Sequence, residues 1–171
     1  MGVAGCGKSS LAHAIAAAQH CSLVEGDDFH SPGNREKMSG GIALTDSDRT
    51  GWLEALRNEI RKHRDGLVLT CSALKKSYRD HLRQGRPDLR FVFLQIDKNE
   101  ALRRVVARAS THFFSAALVD NQFETLESPV NEAGVLCLDA MLPLAHLCLQ
   151  VTQWLATPDV CTSAQQGFES P

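Results

Sequence analysis

Residues 2–9 read Gly-Val-Ala-Gly-Cys-Gly-Lys-Ser and fit the spacing G-x-x-x-x-G-K-[ST] at Gly2, Gly7, Lys8 and Ser9. Such a run turns successive backbone N–H groups into one concavity and opens a helix whose N-terminus adds positive potential, so it suits phosphates. Leu11, Ala14, Ile15 and Ala18 recur at helical spacing, which starts the helix directly after the loop and ends it near His20. Lys8 can reach terminal phosphates, and the Ser9 hydroxyl can ligate a divalent cation. Gly2, Val3, Ala4, Gly5, Cys6, Gly7, Lys8, Ser9 and Ser10 are therefore the candidate nucleotide contacts. Cys6 reads either as a small residue tolerated in the loop or as an oxidisable thiol beside a lysine.

Working outward, SLVEGDD (residues 22–28) is a short apolar run ending in acids, a strand passing into a loop. Ser31-Pro32 reads as an N-cap with proline in first position, and Gly40-Gly41 closes that segment. Trp52, Leu56, Ile60 and His63 give an amphipathic helix from about Asp48 to Arg64. GLVLTCSA is a buried strand, LKKSYRDHLRQG a basic helix, and RFVFLQID a further strand. Asp97 with Glu100 forms a capping box for the next helix. A polar-aromatic loop and a short helix follow, then GVLCLD as the last strand. Leu144, Leu147, Cys148, Val151, Trp154 and Leu155 trace one stripe of a closing helix. Strands alternating with helices predict parallel βαβ units in an α/β sandwich. One domain is expected over residues 1–156, with a frayed tail at 157–171.

Several side chains have the chemistry to work beside such a loop. Glu25 and Asp27 in EGDDFH follow a strand end, where open α/β sheets place ligands. One could hold Mg²⁺ through water and the other accept a proton from an attacking hydroxyl; a plain acidic turn is the alternative. Asp28 and His30 are weaker candidates in the same stretch. Arg49, beside Asp46 and Asp48 at a helix start, could fork onto a carboxylate or simply pair with those acids. Lys75, Lys76, Arg79 and Arg83 form a basic cluster that suits an anionic substrate or a solvated helix face. RRVVARASTHFF combines arginines with a loop, as in a mobile lid.

The chain has 171 residues, 43% of them apolar, with 18 basic against 20 acidic side chains. That near-balance argues against a nucleic-acid footprint or an anionic-membrane patch and points to small-molecule partners. Six cysteines show neither C-x-x-C pairs nor zinc spacing, and Cys71, Cys137 and Cys148 sit in apolar runs, so a reducing, cytoplasmic chain with buried thiols is expected. KSSLAHAIAAAQ has the outline of a signal peptide, but His13 interrupts it. The most apolar stretch, AGVLCLDAMLPLAHLCLQV, contains Asp139, Pro143 and His146 and falls short of the ~20 clean residues of a membrane span.

Taken together, MGVAGCGKSS, EGDDFHSPGNREKMSGGIALTDSDRTGWL, CSALKKSYRDHLR and HFF…QFETLE, in this order over most of residues 1–129, resemble the gluconokinases, small P-loop kinases related to shikimate kinase. The resemblance implies a three-layer α/β sandwich on a parallel sheet, and phosphorylation of D-gluconate by ATP with Mg²⁺. By that likeness, Lys8, Asp27 and Arg108 are catalytic, with Arg104 the alternative lid arginine. Ser9 and Glu25 serve the metal, and Asp27, His30, Arg49, Lys75, Lys76, Arg79 and His112 contact substrate. Residues 108–117 match the lid. Two departures stand out: the paired acids, usually Asp-x-Asp, begin with Glu25, and RASTHFF lacks the lid glycine and is one residue longer. The family also has an apolar strand ahead of its loop, in the middle of the sheet, whereas only Met1 stands there in this sequence. The expectation is a sheet without that central strand, with Met1 an internal methionine of a longer chain. A kinase for another hydroxy acid, such as shikimate, and a nucleotide-binding remnant are the competing readings. Self-association into a homodimer stays open.

Overall fold

Local capping chemistry sets most helix ends in the computed structural model, which describes residues 1–108 and 115–157. Helix α1 (Lys8–Gln19) starts straight from the glycine loop. After β1 (Ser22–Glu25) and a single 3-10 turn (Gly26–Phe29), Ser31 accepts a hydrogen bond from the Asn34 N–H and opens α2 (Pro32–Ser39). Helix α3 runs Asp46–Lys62 and begins two residues earlier than its apolar pattern indicates. Thr45 and Asp48 close a reciprocal capping box ahead of the first apolar residue. Strand β2 (Leu67–Thr70), α4 (Lys76–Arg83) and β3 (Phe91–Gln95) follow. Helix α5 (Lys98–Ala107) is capped by the Asp97 carboxylate, but only half of the expected box forms, because Glu100 turns to Arg103 and Arg104 at 2.7 Å. Helix α6 (Leu118–Thr125), β4 (Val135–Asp139) and α7 (Leu144–Ala156) complete the order. On α7 only Leu147 and Val151 of the stripe are buried, and Leu144 and Leu155 stay exposed.

The strands pair in two parallel couples, β1 with β2 (Glu25 opposite Thr70) and β3 with β4 (Gln95 opposite Asp139). Leu11 and Ile15 of α1 share a core with Val105, Val119, Leu147 and Val151 on one side. Trp52, Leu56, Tyr78 and Leu82 of α3 and α4 form a second core on the other. The result is the three-layer α/β sandwich.

Between β2 and β3 no described strand intervenes. Met1 and Gly2 bridge the couples: the Met1 amine donates to Val92 O at 2.5 Å, Leu94 N–H donates to Met1 O, and Gly2 N–H donates to Ser72 O. Behind them lies an apolar slot of about 500 Å³, walled by Leu11, Ile15, Leu67, Phe91, Val92 and Val151. Burial pushes the Met1 amine down to about 6.

The described cysteines are all free; Cys6 and Cys71 are buried, and burial drives the Cys71 thiol up to about 12. Cys137 and Cys148 are only partly buried. No described helix is long and apolar enough to cross a membrane.

Candidate active site

The loop that starts α1 is held by close packing rather than by side-chain caps. Gly5 has φ +80°, and a Cβ there would meet the Ala101 carbonyl oxygen at 2.6 Å, so only glycine lets the loop lie against α5. Val3 and Cys6 point into the core at 2% and 1% exposure, so their contribution to a ligand is through the backbone. Ser10 lies exposed on α1. The first turn of α1 contains no acidic residue to neutralise its N-terminal potential. The Lys8 ammonium donates to Gly2 O at 3.0 Å and Val3 O at 2.9 Å, folded back over its own loop.

The second wall comes from the ends of β1 and β2. Gly26 sits so close to β2 that a Cβ would lie 2.1 Å from Thr70 O, and its own N–H donates to Thr70 Oγ1. That contact brings the flanking acids to the loop. Glu25 Oε2 accepts from Thr70 Oγ1 at 2.5 Å and from Ser9 Oγ at 3.1 Å. Asp27, half-buried, lines the same cavity with Lys8, Ser9 and Glu25. The cavity measures about 110 Å³.

His30 is buried beneath the cavity wall and stacks on Trp52, with ring centroids 4.5 Å apart and an interplanar angle of 10°. The Trp52 indole N–H is anchored on Gly26 O at 2.7 Å. Burial lowers the His30 pKa, against the opposing pull of Asp27, and its buried Nδ1 has no partner among the described residues. A neutral imidazole here can both donate and accept, as a hydroxyl-rich ligand requires.

Arg49 lines the cavity and donates to Leu44 O and to Tyr78 Oη. Lys75 instead grips both oxygens of Asp46 at 2.8 Å, and Tyr78 Oη donates to the same carboxylate. Hydrogen bonds from Lys75 and then Tyr78 hold Asp46 below the usual carboxylate range. The cavity wall does not include Lys75.

The rest of the basic cluster is not brought to the cavity. Lys76 points outward and pairs with Asp80 one helical turn away. Arg79 is 1% exposed; it donates to Ala73 O and Leu74 O and pairs with Glu132, which Arg83 also binds at 2.6 Å. Burial opposes the charge on Glu132, yet the two guanidiniums keep its pKa below normal. Arg79 thus braces the turn after β2, where Ala73 adopts φ 44°. Of the two lid candidates, Arg108 lines the cavity, whereas Arg104 pairs with Glu100. His112 lies outside the described residues, as does most of the expected lid and tail.

Thr70, Asn121 and Gln122 also line the cavity, and the sequence reading assigned them no role. Thr70 could have been flagged as a hydroxyl at a strand end. Gln122 lies inside QFETLE, a stretch used above only as a family marker.

A phosphate loop opening a helix, with hydroxyls, carboxylates and arginines gathered at the carboxyl ends of parallel strands, defines a P-loop kinase of the small-molecule type. The chain is 41% identical over 148 residues to the thermoresistant gluconokinase of Escherichia coli K12, spanning 84% of each protein. It is 40% identical over 143 residues to a gluconokinase of Arabidopsis thaliana, spanning 75% of this chain and 76% of the relative. The crystal structure of a gluconokinase from Sinorhizobium meliloti superposes with a TM-score of 0.83 at 43% identity, over 91% of this chain and 89% of that one. The chain belongs to the gluconokinase family. A deoxyadenosine kinase from M. mycoides, 13% identical with a TM-score of 0.63, shares the fold. No protein-family model matches the sequence.

Proposed function

We propose that this protein transfers the terminal phosphoryl group of ATP to D-gluconate, giving 6-phosphogluconate. The observation that supports this best is one cavity in which the phosphate loop, Ser9–Glu25–Thr70, Asp27 and Arg49 converge. In this reading the loop amides and Lys8 take the phosphates, and Lys8 exchanges its two carbonyl partners for phosphoryl oxygens. Asp27 orients the acceptor hydroxyl and takes its proton as the new P–O bond forms and the bond to ADP breaks. Arg49 contacts the gluconate carboxylate, with Lys75 placed beside it through Asp46 and Tyr78. His30 reads a polyol hydroxyl from below, and Arg108 faces the charge spread over the transferring group.

The oxygen donors of Ser9 and Glu25, 3.1 Å apart beside the loop, suit a hard cation that takes oxygen ligands and keeps several waters. Mg²⁺ held there would neutralise charge on the bridging phosphates. Its free cysteines fit a reducing cytoplasm as the place of action.

The test is ADP release measured in parallel with gluconate, shikimate and other polyol acids. Turnover with gluconate alone is expected, lost about 10²–10⁴-fold in Asp27→Asn. Turnover with another acid but none with gluconate would overturn the substrate assignment.

A further inference from the structure

One amide of the phosphate loop is already occupied by a side chain. Ala4 N–H donates to Oε1 of Gln122 at 2.6 Å, across 118 residues of sequence. Gln122 projects from α6, which is pinned by Leu118 and Val119 at 4% and 0% exposure and by Phe123 against the α1 core. It therefore reaches the cavity from a rigid base, beside Asn121 and Arg108. An N–H donor fixes which end of a carboxamide faces it, so the Gln122 NH₂ group is the end left to turn towards a ligand. The same peptide unit is held at its other end, where Val3 O accepts from the Lys8 ammonium. Both polar ends of the Val3–Ala4 peptide are thus filled by protein groups, one of which is the lysine that serves terminal phosphates.

We infer that Gln122 is a phosphate-contact residue: its carbonyl stands in for a phosphoryl oxygen on Ala4 N–H, and bound ATP replaces it there. The carboxamide then rotates and its NH₂ donates to the terminal phosphate, linking α6 to the presence of the group to be transferred. The step exchanges hydrogen bonds only. It rests on the phosphoryl-transfer reading above, and it adds a residue that recognises ATP over ADP.

Two substitutions separate this from simple bracing of the loop. Gln122→Glu keeps the length and the acceptor for Ala4 N–H, but has no donor and brings negative charge to the phosphates. Gln122→Ala removes both acceptor and donor, and leaves Ala4 N–H free for phosphate. Titration calorimetry with Mg·ATP and Mg·ADP, alongside thermal unfolding, reads the outcome. The expected result is that Gln122→Glu unfolds no earlier than the parent chain, yet binds ATP about ten-fold or more weaker, with a smaller loss for ADP. Gln122→Ala should bind ATP better than Gln122→Glu does. If the order is reversed, with glutamate close to the parent and alanine impaired for both nucleotides, Gln122 only braces the loop and the inference falls alone. A parent chain that binds neither nucleotide overturns the inference and the phosphoryl-transfer reading together.

Discussion

Two clefts meet at Lys8, and they differ in almost every respect. The smaller, about 110 Å³, gathers hydroxyls, carboxylates, an imidazole and arginines at the strand ends. The larger, about 500 Å³, is walled mainly by aliphatic and aromatic side chains and by the edges of β2 and β3. Size would rank the second first. Chemistry belongs to the first, where the phosphate loop, the acids after β1 and Arg49 line one space. The second concerns how the sheet holds together; Arg86, Asp88 and Arg90 stand along it, and the Met1 amine is buried at its inner end.

The sharpest way to break this division is Lys8→Ala. It should lower kcat/KM by about 10²–10³-fold in steady-state assays while shifting the unfolding midpoint little, since among the described residues Lys8 bonds to two loop carbonyls alone. A chain that fails to fold would instead assign Lys8 to the architecture. Next in size, Arg79→Ala should cost about 3–5 kcal/mol in denaturant unfolding, because Glu132 loses a buried partner and two carbonyls lose their donor. Its neighbour Lys76→Ala should stay within about 0.5 kcal/mol, as expected of an exposed pair.

The slot makes its own prediction. Five β-branched residues joined ahead of Met1 can run parallel to β2 and β3 and should raise the thermal midpoint by about 3–10 °C. A Gly-Ser extension of equal length should not, and equal effects of the two would show that the slot does not select a strand. The smallest effect is on pH. The folded Met1 amine stays neutral down to about 6 and the unfolded one gains a proton from about 8 downward, so the unfolded state binds more protons between these values. Stability of the chain beginning at Met1 should therefore rise from pH 6 to pH 8, by at most ~2–3 kcal/mol in urea midpoints. Lowering of the His30 pKa by burial acts with the same sign, below the ordinary histidine range. The strand-extended chain, with no amine in that place, should lose most of this dependence.

Local signals in the sequence were easy to follow because their causes are local. Ser31-Pro32 and Asp97 mark helix starts, Gly40 and His20 mark ends, and the glycine loop fixes the start of α1. Glu25 and Ser9 were matched by motif and do meet. What stayed hidden depends on partners far along the chain. Lys76 and Arg79 look alike in one basic run, yet one is solvated and the other is buried because Glu132 waits 53 residues away. Gln122 looks like an ordinary helix residue until the fold sets it against Ala4. The split of the sheet into two couples, with no described strand between β2 and β3, was by contrast foreseen, as the sheet without its central strand.

The stacking of His30 on Trp52 has an optical consequence. The sequence contains only two tryptophans, and the fold gives one to each cleft: Trp52 beneath the polar cavity and Trp154 on the rim of the slot, under the Arg90 guanidinium. Indole emission responds to the polarity and charge around the ring. Fluorescence of the two single-tryptophan variants can therefore follow ligand arrival at one end of the molecule and strand docking at the other, each without a label.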